Sequence, residues 1–554
     1  MPDSEANSNT PDLFGAGGAF EIHEEEVLGA RMPVFRDRKR SALELLDDVL
    51  AYGDEEHLVF GDRRLSFREH HERIQAWATL LREEYGVRPG DRVAVLGANS
   101  PEWLHVFWAT LCCGGVAAAF NGWWTEPEIA YALDLVQPRL LVGDTRRLAR
   151  LAEPPEVPVL DMEADGEARV APLLGSSLDP PSIREDDPAV ILFTSGTTGF
   201  PKAAVLSHRA VIGFVQVPSA VRTQQLQAAG VDPDAVPRET LLVTTPFFHV
   251  SGAFAIGVLA MANGSKCVLR EGRFDPGDAL RLIERERVTS WAALGSSGPL
   301  VARHPELARY DTSSLTRISF GGAPTSPATA TSLREAFPNA AQSMGTAYGL
   351  SECCAIGTIF GGPEYESFPT SVGRPAPTVS IEIRDGDGNP VSDGQKGEIC
   401  LRSPYVMLEY WGNPEATRES VRADRWLASG DVGHFEDGRL YVHSRERDMI
   451  LRSAENIYPV EIENRLEAHS GVAEAAVIGV DHPDHGQEVK AVVVAAPGAE
   501  PTVGELEAWC REALAPFKVP TVWEVRAEGL PRNASGKVLK TVLAGEAEAP
   551  TGDD

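Results

Sequence analysis

Apolar positions in this chain fall into short runs that alternate with helical patterns. Asp91–Leu96 reads as a strand, and a helix follows Pro101. Ala189–Phe193 reads as a buried strand ending in a Gly-rich turn, and Leu241–Thr245 as another. Such alternation predicts mostly parallel sheets with helices on their faces. The most apolar stretch, Leu104–Phe120, is broken by Gly114–Gly115 and is short for a bilayer crossing, so it is expected to be a buried helix followed by a buried strand.

The pattern changes over the last hundred or so residues. Pro459 suits the first turn of a helix that continues through Glu461, Glu463 and Leu466. Val472–Val480 and Val489–Val494 read as strands. Thr502 and Glu505 have the spacing of a capping box ahead of a helix through Leu514. A charged run, Arg445–Asp448, separates the two patterns. The fold class expected is therefore α/β, with a large N-terminal domain over 35–443, a hinge at 444–448 and a small mobile α+β lobe over 449–545. Residues 1–30 are expected to be a disordered acidic tail: up to Leu28 there are seven acids and no Lys or Arg. The end of the chain, 546–554, is expected to be a second tail.

Composition narrows the function classes. A chain of 554 residues exceeds one ordinary core, and 43% hydrophobic residues suit a globular protein. The net charge of −30, from 51 basic and 81 acidic residues, argues against nucleic acid or an anionic membrane as a partner recruited by bulk charge. A local cationic site for phosphates is still compatible with it. The seven cysteines lack metal-ligand spacing, and Cys112–Cys113 and Cys353–Cys354 are adjacent pairs. An odd count without a secretory signal fits reduced thiols in a cytoplasm, acting as small buried hydrophobes. Neither Gly-x-Ser-x-Gly nor His-Glu-x-x-His is found.

The strongest chemical signal is Leu192-Phe-Thr-Ser-Gly-Thr-Thr-Gly-Phe-Pro-Lys202. A buried strand feeds a cluster of hydroxyls and glycines that ends in a lysine. Glycines let backbone N–H groups approach an anion, and hydroxyls add donors. Lys202 follows Gly199 by three residues, so this is not a Walker A loop. The plain alternative is a polar surface loop. The segment resembles the phosphate loop of the adenylate-forming superfamily, which holds acyl- and aryl-CoA synthetases, peptide-synthetase adenylation domains and firefly luciferase.

Further segments match in the family's order over about residues 40–540. The resemblance implies ATP contacts from Thr194, Ser195, Gly196, Thr197, Thr198 and Lys202, with Thr198 also assisting catalysis. Pro246-Phe-Phe-His-Val-Ser-Gly252 implies an acyl pocket at His249, Val250 and Gly252, with His249 gating the thiol. Gly321-Gly-Ala-Pro324 implies an adenine wall at Gly322, Ala323 and Pro324. Thr346-Ala-Tyr-Gly-Leu-Ser-Glu352 implies that Tyr348 stacks on adenine, that Gly349 and Ser351 contact the nucleotide, and that Glu352 holds Mg²⁺. Ser351 stands where the family usually has Thr. Trp426-Leu-Ala-Ser-Gly-Asp-Val432 implies that Asp431 accepts from the ribose hydroxyls, and Arg445 falls at the ribose- and phosphate-contacting arginine. Leu530–Lys540 implies that Lys537 is the catalytic lysine. Each of these side chains, met alone, would read as a turn, core or surface residue; it is their joint order that carries the resemblance.

Two departures bear on the second step. Arg447 takes the position of the family's Lys or Asp hinge residue. Ser453 and Ala454 replace a Gly-Gly pair in a loop that lines the pantetheine tunnel in the family. The reading that follows is ligation of a carboxylic acid to a thiol through an acyl-adenylate, with ATP, Mg²⁺ and coenzyme A. The rivals are an aryl-acid ligase, an enzyme loading a carrier protein in trans, and a non-catalytic nucleotide binder. The segments expected to form the acid pocket, His249–Ala253, Trp291–Gly295 and Ser351–Gly357, are small or apolar with no obvious extra cation. They favour a medium- or long-chain fatty acid or similar apolar monocarboxylate. Homodimerisation is left open, and no stable membrane insertion is expected.

Overall fold

A computed structural model describes residues 12–194, 201–321, 325–452, 455–482, 485–533 and 536–547. Two large sheets form the N-terminal part. The first has seven strands in the order Glu409–Tyr410, Lys202–Ser207, Pro188–Thr194, Val116–Phe120, Arg92–Leu96, Leu140–Gly143 and Val159–Asp161. The last five are parallel, and Lys202–Ser207 runs antiparallel to both of its neighbours. The second has eight strands. Its parallel centre runs from Met344–Tyr348 through Arg317–Gly321, Ser290–Ala292, Thr240–Val243 and Lys266–Leu269 to Glu56–Phe60.

The helix Pro101–Cys112 shows why the apolar stretch is no membrane span. Ser100 caps it by accepting from the Trp103 N–H, Pro101 takes its first turn, and it is buried on all sides. Trp108 donates to the Gly257 carbonyl at 2.9 Å, so the polar edge of a fully buried ring is satisfied. Among the described residues, no helix is long and apolar enough to cross a membrane. All seven cysteines are buried and unpaired.

A four-stranded antiparallel sheet, Ser380–Arg384, Gly397–Arg402, Leu427–Glu436 and Arg439–Arg445, follows the large sheets. The next strand, Ile450–Arg452, belongs to a separate five-stranded sheet with its own core of Ile462, Leu466, Val477, Val493 and Leu506. In this lobe the helix Pro459–Glu467 begins with its proline, and Thr502 and Glu505 form the capping box. The lobe is α+β, and its helix Pro459–Glu467 packs on Pro327–Ala336 of the large part.

The expected N-terminal tail is corrected in part. Ile22–Val27 and Ala30–Phe35 form an antiparallel hairpin that buries Val27, Ala30, Met32 and Val34. Acid-rich composition hid this alternation. The acids are neutralised locally, Glu21 by Arg36 and Glu25 by Arg38 at 2.9 Å.

Candidate active site

The C-terminal ends of the parallel strands in the eight-stranded sheet deliver Gly321 and Tyr348 to one end of a cavity of about 1480 Å³. Small-molecule sites are typically about 300–1,000 Å³, so this one has room for more than one substrate. The cavity lies between the large part and the C-terminal lobe, with walls from both.

Asp431 sits in the strand Leu427–Glu436 opposite Arg445 of the next strand. Its Oδ2 accepts from the Tyr348 hydroxyl at 2.8 Å, and its Oδ1 lies 3.5 Å from the Arg445 guanidinium. Burial raises the Asp431 carboxyl above its ordinary range despite Arg445. Burial, followed by the Asp431 charge, pushes the Tyr348 phenol well up, so it is a firm donor at neutral pH.

Lys537 reaches this cluster from the C-terminal lobe. Burial first, and then the Arg445 charge, lower its ammonium to about 8. It therefore carries most of its charge at neutral pH while lying in a site that penalises charge, a state suited to receiving an anion. The lobe is held close by backbone contact. Gly295 has φ +60, and a Cβ there would lie 2.8 Å from the Gly536 Cα. Only glycine allows both that turn and that approach.

Glu352 and Lys202 meet through Tyr410. The Tyr410 hydroxyl donates to Glu352 Oε1 at 2.7 Å, and Lys202 Nζ lies 5.0 Å from the same ring's centre. Thr194 pairs with Lys202 across the antiparallel strands, and both line the cavity. A single carboxylate oxygen donor facing this space suits a hard cation whose other ligands come from phosphates and water. Gly349 and Ser351 also line the cavity, and Gly349 packs against the Ala355 backbone. Arg447 lies 3.6 Å from Asp448, in the turn Glu446–Asp448.

His249 precedes the short helix Val250–Ala253 and lines the cavity with Val250. Burial lowers its imidazole to about 4, so it is neutral at physiological pH. Gly252 is a correction. It lies off the cavity wall, where a Cβ would meet the Pro246 carbonyl oxygen at 2.0 Å, and its role is to let the chain turn tightly. Trp291, Cys353 and Cys354 are likewise core residues, whereas Ala292, Leu294, Gly295, Ser351 and Ala355 reach the wall. The expected sites at Ser195, Gly196, Thr197, Thr198, Gly322, Ala323, Pro324, Ser453 and Ala454 lie outside the described residues.

The structure adds wall residues that the segments did not include. Phe214, Arg222 and Leu226 come from the helix His208–Ala228, and Leu259, Arg317 and Phe360 from elsewhere in the large part. Arg222 and Leu226 are four apart and share a face of the helix, with Phe214 eight residues before Arg222, yet no local motif marks them.

Residues 46–411 match the AMP-binding enzyme family and residues 461–537 its C-terminal domain. The chain belongs to the AMP-binding enzyme family. This family member is 34% identical to a feruloyl-CoA synthase from an Amycolatopsis species, over 87% of this chain and 93% of the relative. It is 32% identical to the fatty acid–acyl-carrier-protein ligase ScoC of Streptomyces coeruleorubidus, over 87% and 91%. Among solved structures, ATP-bound MatB from Rhodopseudomonas palustris superposes with a TM-score of 0.79 at 28% identity, covering 91% of this chain and 98% of that one. This AMP-binding enzyme is of the acyl-CoA synthetase type.

Proposed function

We propose that the protein joins a carboxylic acid with an apolar body to coenzyme A, in two steps through an acyl-adenylate. The observation that carries this reading is one cavity holding both the Lys537–Asp431–Arg445 cluster and an apolar wall of Phe214, Val250, Leu259 and Phe320. A carboxylate is a poor acyl donor because its leaving group is oxide. Its attack on the α-phosphorus of ATP forms an acyl–phosphate bond and breaks the bond to pyrophosphate. AMP then leaves as the thiolate sulfur attacks the acyl carbon.

In this mechanism Lys537 offsets the repulsion between the entering carboxylate and the α-phosphate and stabilises charge as the new bond forms. Asp431 accepts from the ribose hydroxyls, and Arg445 adds positive charge beside them. Lys202, Thr194 and the hydroxyls of 195–198 hold the outer phosphates. Glu352 is the residue that would hold Mg²⁺, which supplies charge neutralisation to the phosphate oxygens when bound. His249, neutral at pH 7, forms an uncharged wall beside the acyl carbon and adds no cation there. Rotation of the lobe about 444–448 would withdraw Lys537 and admit the thiol.

The acid class favoured is a medium- or long-chain acid rather than a short one. Each buried CH₂ contributes about 0.8 kcal/mol, or about four-fold in specificity, until the wall is covered. The test is pyrophosphate release across alkanoates, benzoates and cinnamates, with and without coenzyme A. A rise in kcat/KM along the alkanoates, with thioester formed only when coenzyme A is present, is expected. A flat alkanoate profile with strong turnover of cinnamates would favour the aryl reading. Adenylation without thioester, reversed by adding a carrier protein, would favour the carrier-loading reading.

A further inference from the structure

The far end of the cavity differs in chemistry from its middle. The helix His208–Ala228 supplies Phe214, which lines the cavity and whose ring meets Phe254 at 5.6 Å. Eight residues further along the same helix is Arg222. At about 1.5 Å per residue that is about 12 Å. The strand Arg317–Gly321 on the cavity wall gives the distance from the reacting end. Gly321 lies at the reacting end of the strand Arg317–Gly321 and Arg317 at the other, and four residues at about 3.3 Å span about 13 Å.

Arg222 and Arg317 meet at this far end. Their Nη1 atoms lie 3.1 and 3.3 Å from the same oxygen, Oε1 of Glu239. Two guanidiniums sharing one carboxylate leave one positive charge in excess among the three residues. Both arginines line the cavity, and Gln225, Gln342 and Ser343 add polar groups around them. A plain alkyl terminus arriving here would displace water from charged donors and give nothing back. An oxygen acceptor, above all an anionic one, would take the planar donors of either guanidinium.

We infer that Arg222 and Arg317 form a distal subsite, so that the acid activated here carries an apolar middle and a second carboxylate at its far end, the strand between the two ends spanning about 13 Å. The inference rests on the acid–thiol ligase reading above and names the substrate class of that same site. Glu239 sets the strength of the subsite, because it competes with the substrate carboxylate for both arginines.

The test compares octanoate, decanoate and dodecanoate with the matching α,ω-dioates, taking kcat/KM from pyrophosphate release and expressing each pair as a ratio. A ratio within one preparation does not depend on the fraction of folded enzyme. The dioate should be preferred at the length that spans the two ends. Arg222→Met and Arg317→Met should each lower that ratio by about ten-fold, the lower end for charge-assisted hydrogen bonds because both side chains are partly exposed. Glu239→Gln should move it the other way. Calorimetric binding of decanedioate and decanoate to the full chain, with AMP present, requires no turnover. If no acid releases pyrophosphate but the dioate still binds more tightly in an Arg222-dependent way, the ligase reading fails and the subsite stands. A wild-type ratio at or below one at every length, or ratios indifferent to both arginine substitutions, would overturn the inference.

Discussion

The two ends of the cavity are built on opposite principles. At the reacting end, Tyr348, Asp431, Arg445 and Lys537 converge from two lobes, and burial shifts the ionisation of three of them. At the far end, Arg222 and Arg317 are partly exposed, with side chains 30% and 43% accessible, and share one acid. Each task sits where its physical demands are met. Stabilising charge at a reacting bond needs fixed groups in a dry, low-dielectric site. Choosing among acids needs only modest energies, which partly solvated groups can supply.

The comparison breaks most sharply at Lys537. Lys537→Ala should slow formation of the acyl-adenylate by about 10²–10³-fold, the scale for loss of one electrostatic donor. Conversion of a preformed acyl-adenylate to thioester should be nearly spared. Pyrophosphate exchange and single-turnover thioester assays separate the two, and equal losses in both would contradict the assignment. The preference among acids should be unchanged, because Lys537 belongs to the other end.

A smaller effect is expected from Gly295→Ala. The new Cβ would meet Gly536 at 2.8 Å at a residue with φ +60. A non-glycine residue in the left-handed region costs about 1–2 kcal/mol, so adenylation should fall by about ten-fold or more as the lobe is held off. Conversion of a preformed acyl-adenylate to thioester should fall less; an equal fall in both half-reactions would mean that Gly295 does not act by seating Lys537.

Smallest is the pH response. A lysine lowered to about 8 is charged below that pH and loses its charge as pH rises through it. The kcat/KM for ATP, which reports the free enzyme, should therefore decline on the alkaline side around pH 8. Arg447 contributes to that lowering, so Arg447→Ala should move the limb to higher pH. A limb that stays in place, or moves down, would mean that another group sets it.

The same contrast explains what was legible in the sequence. The alternation around Asp91–Leu96 and Ala189–Phe193 marks parallel strands because both faces are buried, and Pro459 and Thr502 mark helix starts through purely local chemistry. Lys202, Tyr348, Glu352, Asp431 and Lys537 could be picked out because each sits in a short segment whose neighbours share its task. The far end had no such signal. Arg222, Glu239 and Arg317 are brought together only by the packing of a helix on a sheet, and each alone reads as a surface charge. Gly252 failed in the opposite sense: it lies within a recognisable segment, but its missing Cβ serves backbone packing and not the acid. The hairpin 22–35 was hidden because counting acids masks the alternation of Val27, Ala30, Met32 and Val34.

The most direct test of the two-step account is a rapid acid quench of the enzyme mixed with ATP, Mg²⁺, decanedioate and coenzyme A, following the fate of the α-phosphate. Acyl-adenylate should appear first, accumulate when coenzyme A is omitted, and give way to AMP and thioester when it is present. ADP and inorganic phosphate as the nucleotide products, with no acyl-adenylate at any time, would contradict it.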